Sequence, residues 1–393
     1  MHNKVIIWSA DNYNSLGLLR QLGGRDLDLF FLMMGEPTGC ASSSKFFPQF
    51  HSVASIEEGY NYLIANHSSL ERKPLIITPS DEIIEFIDQH KSELGKHFLL
   101  PGTRESGKLT WTDDKNNMAA LAARHGFMIP ESRVCKWDSD ISGVKYPCII
   151  KPAHTTPGHH NEFKYKICND EGALRNTLKY VRHESEFILQ QYIPKESVAL
   201  IYGARLSSGH IIVAGALIKD RFISCGDGSH GLITTSFPKG IELGQIESLL
   251  HEIDYNGLFS VEYGLYEKKA YFFEVNLRND GTSHYFYQAG ANIPLAWAYD
   301  MLGNDYSNIC TKVQRDAWYI DEVHDIANVW NGTIHKYLWK KQRKEATIFK
   351  YYDTEDLGPY KSMRRHRLKK ILKDSIVQKY RIYIVYLMDK LKK

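Results

Sequence analysis

The stretch from Gly257 to His284 constrains this chain most. In Tyr271-Phe272-Phe273-Glu274-Val275-Asn276-Leu277-Arg278, the side chains of an extended strand point alternately to opposite faces. Phe273, Val275 and Leu277 are therefore expected on a core, with Glu274, Asn276 and Arg278 in one row on the other face. Leu258-Phe259-Ser260-Val261-Glu262-Tyr263-Gly264-Leu265 reads as the partner strand, ending at the polar turn Glu267-Lys268-Lys269. With the turn centred on Lys268, Glu262 falls opposite Glu274. Like charges facing each other across a sheet destabilise it, and a divalent cation between them removes that penalty. Mg²⁺ takes one or two carboxylates together with water and phosphate oxygens. Glu262, Glu274 and the Asn276 amide oxygen suit it, with Mn²⁺ as an alternative, and Arg278 is left to meet a phosphate or a developing oxyanion. The competing account is a solvated outer face of an amphipathic hairpin. Two acids, an amide and an arginine in one row, followed by the donor-rich Asn279-Asp280-Gly281-Thr282-Ser283-His284, weigh against it.

Residues 1 to about 108 alternate short apolar runs with helical spacing, from Val5–Trp8 through Leu27–Met34 to Leu75–Thr78. Such β-α-β order predicts an open, mainly parallel sheet, whose ligands bind beyond the carboxyl ends of the strands. Ser15 and Asp81 lie in the corresponding turns as candidate substrate contacts, although capping a helix is the commoner task for these residue types. No Gly-x-Gly-x-x-Gly follows either strand, so a dinucleotide site is unsupported.

The Glu274-x-Asn276-x-Arg278 row resembles the signature of the ATP-grasp superfamily, where a preceding strand acid, the Glu and the Asn hold Mg²⁺ on ATP. Other motifs occur in the family's order. Lys115 at a helix start and Lys151 at a strand end match its phosphate-reaching lysines. Gln191-Tyr192-Ile193 and Glu196 match its adenine- and ribose-binding hinge. The resemblance also implies a basic residue on the transferred phosphate, Lys219 or Arg221, and leaves a solvated charge cluster as the alternative. Where the family carries a glycine- or serine-rich phosphate loop, this chain has His154-Thr155-Thr156-Pro157-Gly158-His159-His160. Ser283 and His284, just past Arg278, are candidates for a substrate carboxylate or for capping.

The chain looks most like the carboxylate–amine ligase branch related to D-aspartate ligase and the carbamoyl-phosphate synthase large chain. The implied fold is α/β and α+β: a Rossmann-like N-terminal domain (1–108), an ATP-grasp small lobe (109–195), a large lobe with the metal-binding strands (196–305) and a helical basic C-terminal extension (306–393). The implied reaction joins a small carboxylate to an amine through an acyl phosphate, releasing ADP and phosphate. The acceptor on this reading can be an envelope or polysaccharide precursor. A kinase-type reaction and a non-catalytic nucleotide-binding module are the alternatives.

Net charge of +3 gives no reason to expect a nucleic-acid partner. Six scattered cysteines without Cys-x-x-Cys indicate neither a zinc site nor a disulfide framework, and suit reduced thiols in cytosol. Neither a signal-like leader nor a bilayer-length apolar run is expected. From Lys361 to Lys393, twelve Lys or Arg stand against two acids, with apolar residues at helical spacing. That pattern suits peripheral contact with the anionic inner face of a membrane, or packing on the body of this chain or of a second copy in a homo-oligomer.

Overall fold

The computed structural model describes residues 3–153, 165–223 and 226–368. Four strands, β1 (Lys4–Ala10), β2 (Asp28–Met34), β3 (Gln49–Val53) and β4 (Leu75–Ile77), form a parallel sheet in the order β3-β2-β1-β4. Helix Tyr13–Leu22 connects β1 to β2, helix Ile56–His67 connects β3 to β4, and helix Asp81–Gln89 follows β4. Val5, Ile6, Ile7 and Trp8 are all fully buried, because β1 is covered on both faces. Val5 and Ile7 join a core that includes Leu200, Tyr202 and Trp297, whereas Ile6 and Trp8 pack with Ile76 and Ile87. One face of this first sheet is thereby welded to the large sheet described below.

The short β5 (Gly102–Thr103) pairs with Tyr255 and Asn256. Next come β6 (Ser132–Cys135), β7 (Cys148–Pro152), β8 (Lys166–Cys168) and β9 (Phe187–Gln191), a small antiparallel sheet in the order β6-β9-β7-β8. Its own core contains Cys135, Cys148 and Cys168, all free thiols. Burial, and then the neighbouring Cys168, push the Cys148 thiol up to about 11.

The remaining strands are β10 (Ser197–Arg205), β11 (Ile211–Phe222), β12 (Gly228–Thr234), β13 (Tyr255–Tyr266), β14 (Lys269–Asn276), β15 (Ala317–Ile320) and β16 (Ile348–Phe349). They build the large sheet in the order β14-β13-β10-β11-β12-β15-β16. Every pairing is antiparallel except the last. The strands β15 and β16, after residue 305, are thus woven into this sheet rather than appended to it, with β15 alongside β12. Helices Ser283–Gln288 and Ile293–Leu302 fill the space between the large sheet and the helix Tyr13–Leu22. No described helix is long and apolar enough to cross a membrane.

Candidate active site

The β13–β14 hairpin closes on a two-residue turn, Glu267 and Lys268, with left-handed φ of 48° and 61°. From this tip the register runs Tyr266 opposite Lys269 to Tyr263 opposite Phe272. The turn thus sits half a step from the expected centre. A bulge then intervenes with Phe273 as the extra residue, and beyond it Glu262 faces Glu274 and Ser260 faces Asn276. The expected opposition of the two glutamates is present, through two offsets that cancel. The bulge also corrects the facing of the aromatics. Phe272, only 4% exposed, packs with Val275 and Leu277 in the core, whereas Phe273 is 36% exposed and lies over Gly264. A bulge places two consecutive residues against one and re-aims the strand's side chains.

Lys219 of β11 donates to Glu262 at 2.5 Å. Burial opposes its charge, yet Glu262 beside it lifts the lysine pKa above its ordinary range. Glu274 opens onto a cleft but is crowded by protein on its other sides; burial and then the facing Glu262 push its carboxyl up. Asn276 donates to the Ser260 hydroxyl at 3.2 Å, and that hydroxyl donates to the buried Asp280 at 3.0 Å. Arg278 forms a two-pronged pair with Asp81 across from the first sheet, one prong at 2.9 Å and the Nε prong shorter. Asp280 was not singled out from the sequence, although it continues the every-second-residue series 274, 276, 278.

Two cavities meet at this row. A cleft of about 920 Å³ is lined by Lys219, Glu262, Arg278 and Asp280 among others, and a smaller hollow of about 250 Å³ by Lys151, Gln190 and Phe273. Glu274 and Asn276 line both. Lys151 donates to the Gln190 side chain at 3.1 Å. Lys115 opens the helix Lys115–Arg124, which Asp114 caps, but its side chain lies outside the described residues, as do His154 to His160. In the hinge, the Gln191 side chain lines a separate hollow with Glu131, Ile193 is buried, Tyr192 is half-buried, and Glu196 is exposed with its N–H on the Leu265 carbonyl.

Other candidates sit elsewhere. Arg221 forms a buried two-pronged pair with Asp325, both bonds at 2.8 Å, and is committed to the C-terminal segment. Ser15 is fully buried against Ser9 and the Ala10 carbonyl, while Asn12 and Ser80 cap the two N-terminal helices in question. Ser283 accepts from Gln21 and Asn279. His284 is buried with its Nε2 3.1 Å from Arg20, whose guanidinium in turn pairs with buried Asp356 at 2.9 Å. These contacts hold helices together and leave Ser283 and His284 out of the cleft's lining. Tyr13 and Lys350 do line the cleft. Neither stands in a motif that would have revealed it, because their proximity is purely tertiary.

No family model matches the chain. It is similar to the D-aspartate ligase of Enterococcus faecium (strain Aus0004), with 21% identity over 298 residues, covering 71% of this chain and 69% of the relative. Among solved structures it is similar to N5-carboxyaminoimidazole synthetase from Staphylococcus aureus complexed with ADP, with a TM-score of 0.63, 14% identity and coverage of 84% of this chain and 85% of that one. It is likewise similar to the L-amino acid ligase from Bacillus licheniformis, with a TM-score of 0.59, 13% identity and coverage of 81% and 79%. The chain thus has the fold of these synthetase and ligase structures and is similar over 71% of its length to a D-aspartate ligase.

Proposed function

We propose that the chain is an ATP-dependent carboxylate–amine ligase acting through an acyl phosphate. The observation that carries this is the Glu262–Glu274 pair, with Asn276, on the wall shared by the two cavities. Its donor set fits Mg²⁺: two carboxylates and an amide oxygen, with Glu274 accepting no hydrogen bond from a described residue. No group of three or more His, Cys, Asp or Glu side chains able to hold a metal ion converges among the described residues. When bound, Mg²⁺ neutralises phosphate charge as the γ-phosphoryl moves.

The chain's own residues supply position and charge. Lys151 reaches ATP phosphates from the smaller hollow, with Lys115 from the neighbouring helix and the Gln191–Tyr192–Ile193 and Glu196 hinge against adenosine. Lys219 holds Glu262 in place. Arg278, aimed by Asp81, stabilises the oxyanion formed when the amine attacks the acyl phosphate. The amine is proposed to belong to an envelope or polysaccharide precursor in the cytoplasm, with the segment from Lys361 contacting an anionic membrane. Deletion after Leu368 should abolish binding to phosphatidylglycerol vesicles, and unchanged binding removes that part of the reading.

The test of the reaction is positional isotope exchange in ¹⁸O-labelled ATP with Mg²⁺ and a panel of carboxylic acids, without amine. Exchange dependent on one acid supports the acyl phosphate. ATP binding without exchange, and without ADP release when an amine is added to any acid, favours a nucleotide-binding module instead.

A further inference from the structure

The large cleft is also lined by residues from two parts of the chain far apart in sequence. Asn12 caps the helix Tyr13–Leu22, whose first residues are Tyr13 and Asn14, and Lys350 is the residue after β16. Lys350 is a built feature. Glu322 accepts the backbone N–H groups of Lys350, Tyr351 and Tyr352 at 2.9, 3.0 and 2.7 Å, which fixes that turn. The Lys350 ammonium donates to Asp321 at 3.1 Å and sits 4.2 Å from the centre of the Tyr13 ring. Tyr13 is itself pressed against the loop after the metal row, since a Cβ at Gly281 would lie 2.2 Å from its ring.

An ammonium carries three donors. Asp321 takes one, and among the described residues no further acceptor meets this one, although the residue is only 6% exposed. Asp321 has further partners besides Lys350, accepting from two backbone N–H groups and lying 3.0 Å from the His324 ring. Of the other cations lining the cleft, Arg278 makes a two-pronged pair with Asp81, Lys219 donates to Glu262, and Lys195 lies over the Phe222 and Phe273 rings. Burial disfavours the Lys350 charge, but Asp321 and Tyr13 keep its pKa above the ordinary lysine range. A buried, ionised donor at a cleft wall is matched by an oxyanion. Asp227, exposed at the same cleft, is the acid that opposes such a ligand.

We propose that Lys350, with the Tyr13 ring, forms a subsite for a second oxyanionic group of the acid being activated. This rests on the ligase reading and names its substrate class: acids carrying a carboxylate or phosphate remote from the carboxylate that is phosphorylated. The reacting end lies at Glu274 and Arg278, and the far end meets Lys350 and Tyr13, which line the same cleft.

The test uses the full chain, ¹⁸O-labelled ATP and Mg²⁺, with matched acids: succinate, glutarate, aspartate and glutamate, 3-phosphoglycerate, and the monoacids butyrate and alanine. Wild type should show exchange with one diacid or phospho-acid and at least tenfold weaker exchange with its monoacid counterpart. Lys350→Met should raise the half-saturating diacid concentration roughly 10- to 100-fold, affect the maximal rate less, leave half-saturation by ATP unchanged and erase the preference over monoacids. Lys350→Arg should restore part of it. The carboxylate and phosphate arms distinguish the two sources of the oxyanion. Equal use of monoacids, or a loss in maximal rate without a change in half-saturation, overturns the subsite. If wild type shows no exchange with any acid, the ligase reading loses support and the subsite is judged by calorimetric titration with succinate and 3-phosphoglycerate. Binding that Lys350→Met weakens supports it, and binding that is absent or unaffected ends it. Should Lys350→Met fail to fold, Tyr13→Leu, which removes the ring beside the ammonium, should show the same selective effect at about threefold.

Discussion

Glu262 and Glu274 face each other across β13 and β14, with a single lysine paired to Glu262, whereas Asp321, Glu322 and Asp325, toward the other edge of the large sheet, are saturated with donors. Asp325 accepts from Arg221, Trp339 and Asn328. Asp321 is buried, which alone would raise its pKa, yet the His324 and Lys350 contacts hold its carboxyl well below the usual range. Glu274 is pushed the opposite way, by burial and by Glu262. Acids with full partner sets serve the fold. An acid left facing another acid at a cavity wall is poised for a cation the chain does not itself provide.

The largest expected effect breaks the pair. Glu274→Gln should lower turnover by about 10³-fold or more, since a bound metal contributes several kcal/mol of transition-state stabilisation. Its melting temperature should hold or rise, because a like-charge contact disappears. A variant that stays active but melts early would put Glu274 in the structural class and end the comparison. Asp325→Asn should do the reverse, costing about 3–5 kcal/mol of stability by leaving Arg221 buried without its counter-charge, with the surviving folded fraction still turning over. Chemical denaturation and active-site titration separate the two. Mg²⁺ sharpens the contrast further: at a hundredfold excess over its dissociation constant it should stabilise wild type by about 2.7 kcal/mol. It should do the same in Asp325→Asn and nothing in Glu274→Gln.

A buried base extends the comparison. Burial, then the adjacent Arg20, hold the His284 pKa well below its ordinary value. A histidine whose folded pKa is depressed stays neutral in the fold while the unfolded chain takes up protons below about pH 6.5. Its contribution is therefore fully present above that pH and is lost as the pH falls, and His284→Gln should flatten the slope of denaturation midpoint against pH between 7 and 5. The smallest effect belongs to the hairpin tip, where Lys268→Gly should add roughly 1 kcal/mol by relieving a left-handed residue and leave turnover untouched.

The polar row of Glu274, Asn276 and Arg278 at the cleft was legible because a strand writes its facing in a period of two. The bulge was not. Phe272 and Phe273 are equally apolar, so the alternation carries no sign of which one faces inward. The N-terminal sheet was readable from its unbroken apolar runs, apart from β3, whose Gln49 and His51 hide it. The C-terminal segment was opaque for a different reason. Strands of four and two residues carry too little pattern, and Arg221 finds Asp325 at a separation of 104 residues, a pairing that no local rule foretells. Ser15 and His284 misled because a polar residue in a turn looks the same whether it meets a ligand or a neighbouring helix.

The clasp of Arg20 by Asp356 spans 336 residues, and that separation sets a schedule. At about 5–20 residues per second, roughly 20–70 s pass on the ribosome between the making of the arginine and the making of its partner. Throughout that interval the N-terminal sheet carries a guanidinium whose native burial has no counter-charge. The first sheet can form early, but its final seal waits for nearly the last part of the described chain. Nascent copies that stall before Asp356 should be the ones most open to proteases.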